Sequence, residues 1–117
     1  MAFFDTLKQN LMTASQITMD KAKNTAEILK LKDVYIEPKK KYIAFKHKTN
    51  VCDVVLRKDR VVVFINLPIG SLDDSKTLCE DVTYKGHWGN GDYCLNIHSD
   101  EEISYAMTLI KQSYEIN

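Results

Sequence analysis

Five consecutive apolar residues, Val61-Val62-Val63-Phe64-Ile65, constrain this chain more than any other feature. Valine and isoleucine branch at Cβ and phenylalanine is aromatic, so the run favours extended backbone. A strand with one wet face alternates apolar and polar residues; this run does not alternate, which predicts a central strand covered on both faces.

Its neighbours read as shorter strands. Tyr42 to Phe45 and Val51 to Leu56 have the length and the β-branched and aromatic content of strands. Turns fall at Thr49-Asn50 and at Lys58-Asp59, the second leading into Arg60 to Leu67. Val34-Tyr35-Ile36 is a further short strand, ended by Glu37-Pro38 because proline cannot donate to a ladder. Together these segments predict an antiparallel meander.

Beyond it, Pro68-Ile69-Gly70 breaks the chain. Ser71 or Asp73 then suits the cap of a short helix running to Leu78. Asp81 to Tyr84 reads as a strand, Gly86 to Asp92 as a tight glycine-rich connection, and Tyr93 to His98 as a strand turning Tyr93, Leu95 and Ile97 to one face. Ser99 and Glu102 have capping-box spacing, and Asp100, Glu101 and Glu102 suit the positive end of a helix. That helix buries Ile103, Ala106, Met107, Ile110 and Tyr114.

At the other end, Phe4, Leu7, Leu11, Ala14, Thr18, Ala22, Ala26 and Leu29 recur every three or four residues, which predicts one long helix over residues 3–31. The fold expected is α+β: an antiparallel sheet with a capped C-terminal helix, preceded by a long N-terminal helix. The boundaries are an amphipathic helix at residues 1–32 and an α+β domain at residues 33–117.

A chain of 117 residues suits one domain. Three widely spaced cysteines, Cys52, Cys79 and Cys94, fit reduced thiols better than a disulfide framework, and no Cys-x-x-Cys pair suggests zinc. Charge breaks up the apolar start, so a signal peptide is not expected, and no apolar run approaches the ~18 residues of a membrane span. A cytoplasmic protein without metal or cofactor is the expectation. Sixteen basic and sixteen acidic residues cancel, yet residues 33–60 carry eight Lys and Arg against four acids, and residues 61–117 carry three against nine.

The block Asp81-Val82, Gly86-His87-Trp88-Gly89-Asn90-Gly91-Asp92-Tyr93, followed by Leu109-Ile110-Lys111-Gln112-Ser113-Tyr114-Glu115, resembles the bacterial domain-of-unknown-function family 5655, sometimes labelled "predicted transport protein". Tyr42-Ile43-Ala44-Phe45-Lys46, the region of Leu67, and Asp73-Asp74-Ser75-Lys76 fit the same pattern. The resemblance covers about residues 39–117. It implies an α+β fold with an antiparallel sheet. Family members often sit behind nuclease-like or restriction-associated domains, which suggests a bacterial defence context. No activity of the domain itself is implied.

Several residues are candidates for function, each with a plainer reading beside it. His87, Trp88, Asn90 and Asp92 would form a ligand loop in which the glycines admit a ligand to the backbone. The plainer reading is a turn in which the glycines supply positive φ and Trp88 plugs the core. His87 with Asp92, Asp81 or Glu80 would make an acid–base pair, though a hydrogen-bonded structural histidine uses the same residues. Cys79 beside Glu80-Asp81 is a poor nucleophile, since carboxylates raise a thiol pKa.

Lys39, Lys40, Lys41, Lys46, Lys48, Arg57, Lys58 and Arg60 cluster at strand ends, and Tyr42 and Phe45 between them suggest base stacking on a nucleic acid. Lysines at strand ends equally protect sheet edges. The N-terminal stripe has three readings: docking on its own sheet, pairing with another copy through residues 3–31, or lying on a membrane. The last is disfavoured by a polar face of Thr, Ser, Asn and Gln. The leading functional expectation is a small binding module for nucleic acid or a protein partner. A structural or oligomerising protein comes next, and an enzyme using His87 and Asp92 last.

Overall fold

In the computed structural model the residues described are 27–85, 91–99 and 101–117. Six strands are β1 (Tyr35–Pro38), β2 (Ile43–Lys46), β3 (Asn50–Leu56), β4 (Val61–Ile65), β5 (Glu80–Asp81) and β6 (Tyr93–Ile97), followed by helix α1 (Glu101–Ile116). They form one sheet in the order β1-β2-β3-β4-β6-β5, antiparallel throughout. The apolar run is β4, near the middle, and all five of its residues are buried.

The first four strands are the meander that the turn spacing predicts. The meander stops there. β6, not β5, pairs with β4 (Val63 opposite Leu95), and β5 lies outside β6 as a two-residue edge. The chemistry explains the exchange. β6 can bury both sides, Tyr93, Leu95 and Ile97 toward α1 and Cys94 away from it. β5 offers only Glu80 and Asp81, both exposed. A short charged edge gives further strands little to pair with. At the opposite edge, β1 tolerates Pro38 for the usual reason, an amide that would face outward.

α1 lies on one face. Its Ile103, Ala106, Met107, Leu109 and Ile110 join Phe45, Val54, Val63, Ile65 and Leu95 in the main core. Burying each such large side chain contributes roughly 1.5–3 kcal/mol. The helix start is a variant of the expected capping box. The Glu102 amide donates to the Ser99 carbonyl at 3.2 Å, while the Glu102 carboxylate accepts from the His98 amide at 3.3 Å, one residue earlier than the spacing predicts.

Of the predicted N-terminal helix, residues 27–29 are helical and residues 1–26 lie outside the described residues. Ile28 is fully buried in the main core, with Leu29, the residue the periodicity favours, only half-buried beside it. Asp33 at φ +61° then turns the chain toward β1; an aspartate accepts that left-handed conformation better than most residues. The short helix expected up to Leu78 does not form. The Asp74 carboxylate instead accepts from the Leu78 amide at 3.2 Å, the Cys79 amide at 2.8 Å and the Tyr105 hydroxyl. A short polar side chain has here outcompeted the helical ladder. Among the described residues no helix is long and apolar enough to cross a membrane.

Candidate functional site

Antiparallel pairing sorts the connections to two ends of the sheet. The turns after β1 and β3 lie at one end, as does the passage from β6 into α1, since Ile97 pairs with Val61. The β2–β3 turn, residues 66–70 and the approach to β6 lie at the other, since Tyr93 pairs with Ile65.

The eight basic candidates are therefore divided. Lys39, Lys40, Lys41, Arg57, Lys58 and Arg60 share the first end; Lys46 and Lys48 sit toward the second. The two basic turns are two strand spacings apart, about 10 Å. Lys39, Lys40, Lys41, Arg57 and Lys58 are exposed. Lys39 and Lys46 both pair with Glu37, Lys46 at 2.8 Å. Those two ammonium groups, Lys39 foremost, hold the Glu37 carboxyl down to about 2. Arg60 donates from Nε to Asn96 at 3.0 Å and from Nη1 to Asp59 at 3.0 Å. The same end carries Glu101 and Glu102 on the β6 side, so the positive region is confined to the half built by β1–β4.

The stacking platform is corrected by the packing. Phe45 is fully buried in the main core under α1, and Tyr42 is half-buried against Val55, Val62 and Phe64. The reason is register: Phe45 pairs with Ile36 and Cys52, which share its inward side.

Of the glycine-rich candidates, His87, Trp88 and Asn90 lie outside the described residues. Asp92 is described, and it works as a staple. Its Oδ2 accepts from the Ile69 amide at 2.9 Å, its amide donates to the Leu67 carbonyl at 3.2 Å, and its carbonyl accepts from the Val82 amide at 2.9 Å. Gly91 has φ +92°, and a Cβ there would stand 2.1 Å from the Ile65 carbonyl oxygen. A glycine is required at this point, as a turn reading of the block expects.

The other acids near this block are also occupied. Asp81 accepts from the Thr83 hydroxyl and amide, which hold its carboxyl down, and Glu80 pairs with Lys85. Burial pushes the Cys79 thiol up to about 12, with Asp74 adding to the effect, so the thiol stays protonated. Among the described residues no group of three or more His, Cys, Asp or Glu is placed to hold a metal ion.

Two features escaped the reading of the residues. The first is the sheet face away from α1, where Ala44, Asp53, Val55, Val62, Phe64 and Cys94 line up across β2, β3, β4 and β6. Asp53 is a fully buried carboxylate there; Asn50 Nδ2 donates to it at 3.2 Å. Its signal was present, an acid inside the apolar run Val51–Val55.

The second is a polar lock at the far end. Ser113 is fully buried and donates to the Val51 carbonyl at 2.6 Å, while Asn117 Nδ2 donates to the Asn66 carbonyl at 2.9 Å. The Asn117 carbonyl accepts from the Lys48 and Thr49 amides at 3.0 and 2.9 Å, and the His47 ring rests 4.5 Å from that of Tyr114. This lock ties α1 to the β2–β3 turn, and no periodicity announces it.

Comparison with known proteins agrees with the resemblance and extends it. Residues 7–117 match the family described as domain of unknown function DUF5655, a longer stretch than the motifs from residue 39 onward. An uncharacterized protein of Haemophilus influenzae is 46% identical over 81 residues, covering 69% of this chain and 27% of the relative. The chain thus spans about a quarter of that relative's length. No solved structure matches the chain.

Proposed function

We propose, on the premise that this chain belongs to the DUF5655 family, that it is a non-enzymatic binding module whose basic end engages the phosphate backbone of a nucleic acid. One observation carries the reading. The turns holding Lys39–Lys41 and Arg57–Lys58, separated by fifteen residues of chain, come together at one end of the sheet. Six cations there face two carboxylates, Glu37 and Asp59, in the β1–β4 half.

Charges in turns contact phosphates without reading bases. With Phe45 buried, the binding expected is weak in sequence preference and strong in salt dependence. The match to part of a longer protein supports a module that works beside other domains.

The test is fluorescence anisotropy with labelled single-stranded and duplex oligonucleotides across a salt series. Affinity should fall steeply with salt, with a slope of about 0.7–0.9 per phosphate neutralised. Lys39, Lys40 and Lys41 together changed to alanine should weaken binding to all sequences alike and lower that slope; Lys48→Ala, at the other end, should not. Absence of any complex at low salt, or equal loss from both variants, would refute the reading.

A further inference from the structure

The β3–β4 hairpin turns through Arg57-Lys58-Asp59-Arg60, three cations and one carboxylate in sequence. The Arg57 amide donates to the Arg60 carbonyl at 2.9 Å, which closes the turn and sets the two arginines opposite each other. Arg57 lies two residues beyond Val55 and Arg60 two before Val62, and Val55 pairs with Val62 on the face away from α1. Strand alternation brings both arginines to that face at the first end. Like charges directly opposite each other on a sheet are destabilising. An anion seated between them offsets that cost.

Arg60 is held in place. Its Nε donates to Asn96 Oδ1 at 3.0 Å and its Nη1 to Asp59 Oδ1 at 3.0 Å. A guanidinium has five N–H donors, and neither bond uses Nη2. The side chain is 36% exposed, so a ligand can reach it. Asp59 neutralises part of the charge, but three cations against one carboxylate leave the hairpin net positive.

The same bond accounts for Asn96. Asparagine is depleted in strands, yet it stands in β6 between Leu95 and Ile97, opposite Val62. There its Oδ1 fixes a long side chain whose rotamer freedom would otherwise be lost on binding.

We propose that Arg60 is a preorganised seat for a phosphate group at the first end of the sheet, with Asn96 and Asp59 as positioning residues and Arg57 across the hairpin as a second cation. The planar guanidinium matches phosphate oxygens as an ammonium does not. The seat therefore differs in kind from Lys39, Lys40 and Lys41, which act as point charges. Taking the phosphate from a nucleic-acid backbone rests on the function proposed above; the seat itself stands on the geometry of the hairpin.

The test uses the full chain and two probes, inorganic phosphate and labelled oligothymidylate. Arg60→Lys keeps the charge and removes the fork. It should weaken oligothymidylate binding about tenfold in fluorescence anisotropy, the worth of one charge-assisted hydrogen bond, with the salt slope unchanged. Lys58→Ala, the neighbouring point charge, should instead lower that slope by about 0.7. Binding by Arg60→Lys equal to that of the unsubstituted chain would overturn the seat. Asn96→Ala should weaken binding about fivefold by freeing the side chain, again at an unchanged slope, and should speed water exchange of the Arg60 Nε–H in nitrogen-15 NMR. Unchanged affinity in this variant would overturn the positioning role.

The unsubstituted chain gives a second measurement, independent of how the variants fold. Its Arg60 Nε–H signal should move on addition of inorganic phosphate and not of chloride at equal ionic strength. A complex with oligothymidylate but a still Arg60 signal would overturn the seat and leave the basic end as the binding surface. A signal that moves with phosphate, without any oligothymidylate complex, would keep the seat and remove nucleic acid as its source. Silence toward both probes would overturn the seat and the proposed function together.

Discussion

Gly91→Ala tests the packing of the second end, and Gly70→Ala is its internal control. Both glycines have nearly the same backbone, φ +92° and +90°. An L residue in that region costs about 1–2 kcal/mol at either site. The surroundings differ. Nothing lies within 4 Å of a Cβ at position 70, whereas at position 91 it would meet the Ile65 carbonyl oxygen at 2.1 Å and Asn66 Cα at 2.6 Å. Both are backbone atoms at the end of β4, where the Asn66 amide donates to Val51 at 3.1 Å and the Leu67 carbonyl accepts from Asp92. They cannot swing aside as a side-chain tip would. Forced repacking adds about 1–3 kcal/mol, so the total at Gly91 is about 2–5 kcal/mol. At about 4 °C per kcal/mol for a chain of this size, Gly70→Ala should melt about 4–8 °C below the unsubstituted protein and Gly91→Ala about 8–20 °C below, followed by far-ultraviolet circular dichroism. Equal losses at the two positions would refute the close approach.

Two further outcomes follow from the hydrogen bonds. Ser113→Ala removes the hydroxyl that reaches the Val51 carbonyl from α1, at 2.6 Å in a fully buried site. Urea unfolding should show a loss of about 1–3 kcal/mol with an unchanged slope, and a loss near zero would mean that the lock is not formed. The Glu37 carboxyl is depressed from 4.5 to about 2 by Lys39 and then Lys46. A depressed folded-state pKa contributes stability that is present above about pH 4.5 and lost as pH falls toward 2. Carbon-detected NMR of the Glu37 side chain should give a midpoint near 2, moving up in Lys39→Ala and Lys46→Ala. An ordinary midpoint in the unsubstituted protein would show that those ion pairs do not persist in water.

Much of the architecture could be read from local pattern. β4 declared itself through an unbroken β-branched run, α1 through its period and its acidic start, and the first three turns through polar residues between strands. What could not be read was the competition between elements that are alike locally. β5 and β6 both look like strands at the edge of a meander. Only the need to bury Cys94 on one side and Leu95 on the other puts β6 next to β4. The same holds for Asp74, whose carboxylate replaces a helix expected from its neighbours because Tyr105 comes within reach from α1.

The candidate site divides along the same line. That lysines and arginines gather at turns is visible in the order of residues. Which turns share an end depends on strand order and direction, and this separates Lys46 and Lys48 from the other six. Glycine at position 91 and an acid at position 92 were legible as a special turn, but not that the acid is spent on the Ile69 amide. A sequence records each residue's own preferences for extension, turning and burial, and these determined the strands, the terminal helix and the demand for cover on both sheet faces. Which groups meet across the fold is set by contacts between residues distant along the chain, and these alone decided the place of β6, the burial of Phe45 and the lock between Ser113, Asn117 and the β2–β3 turn.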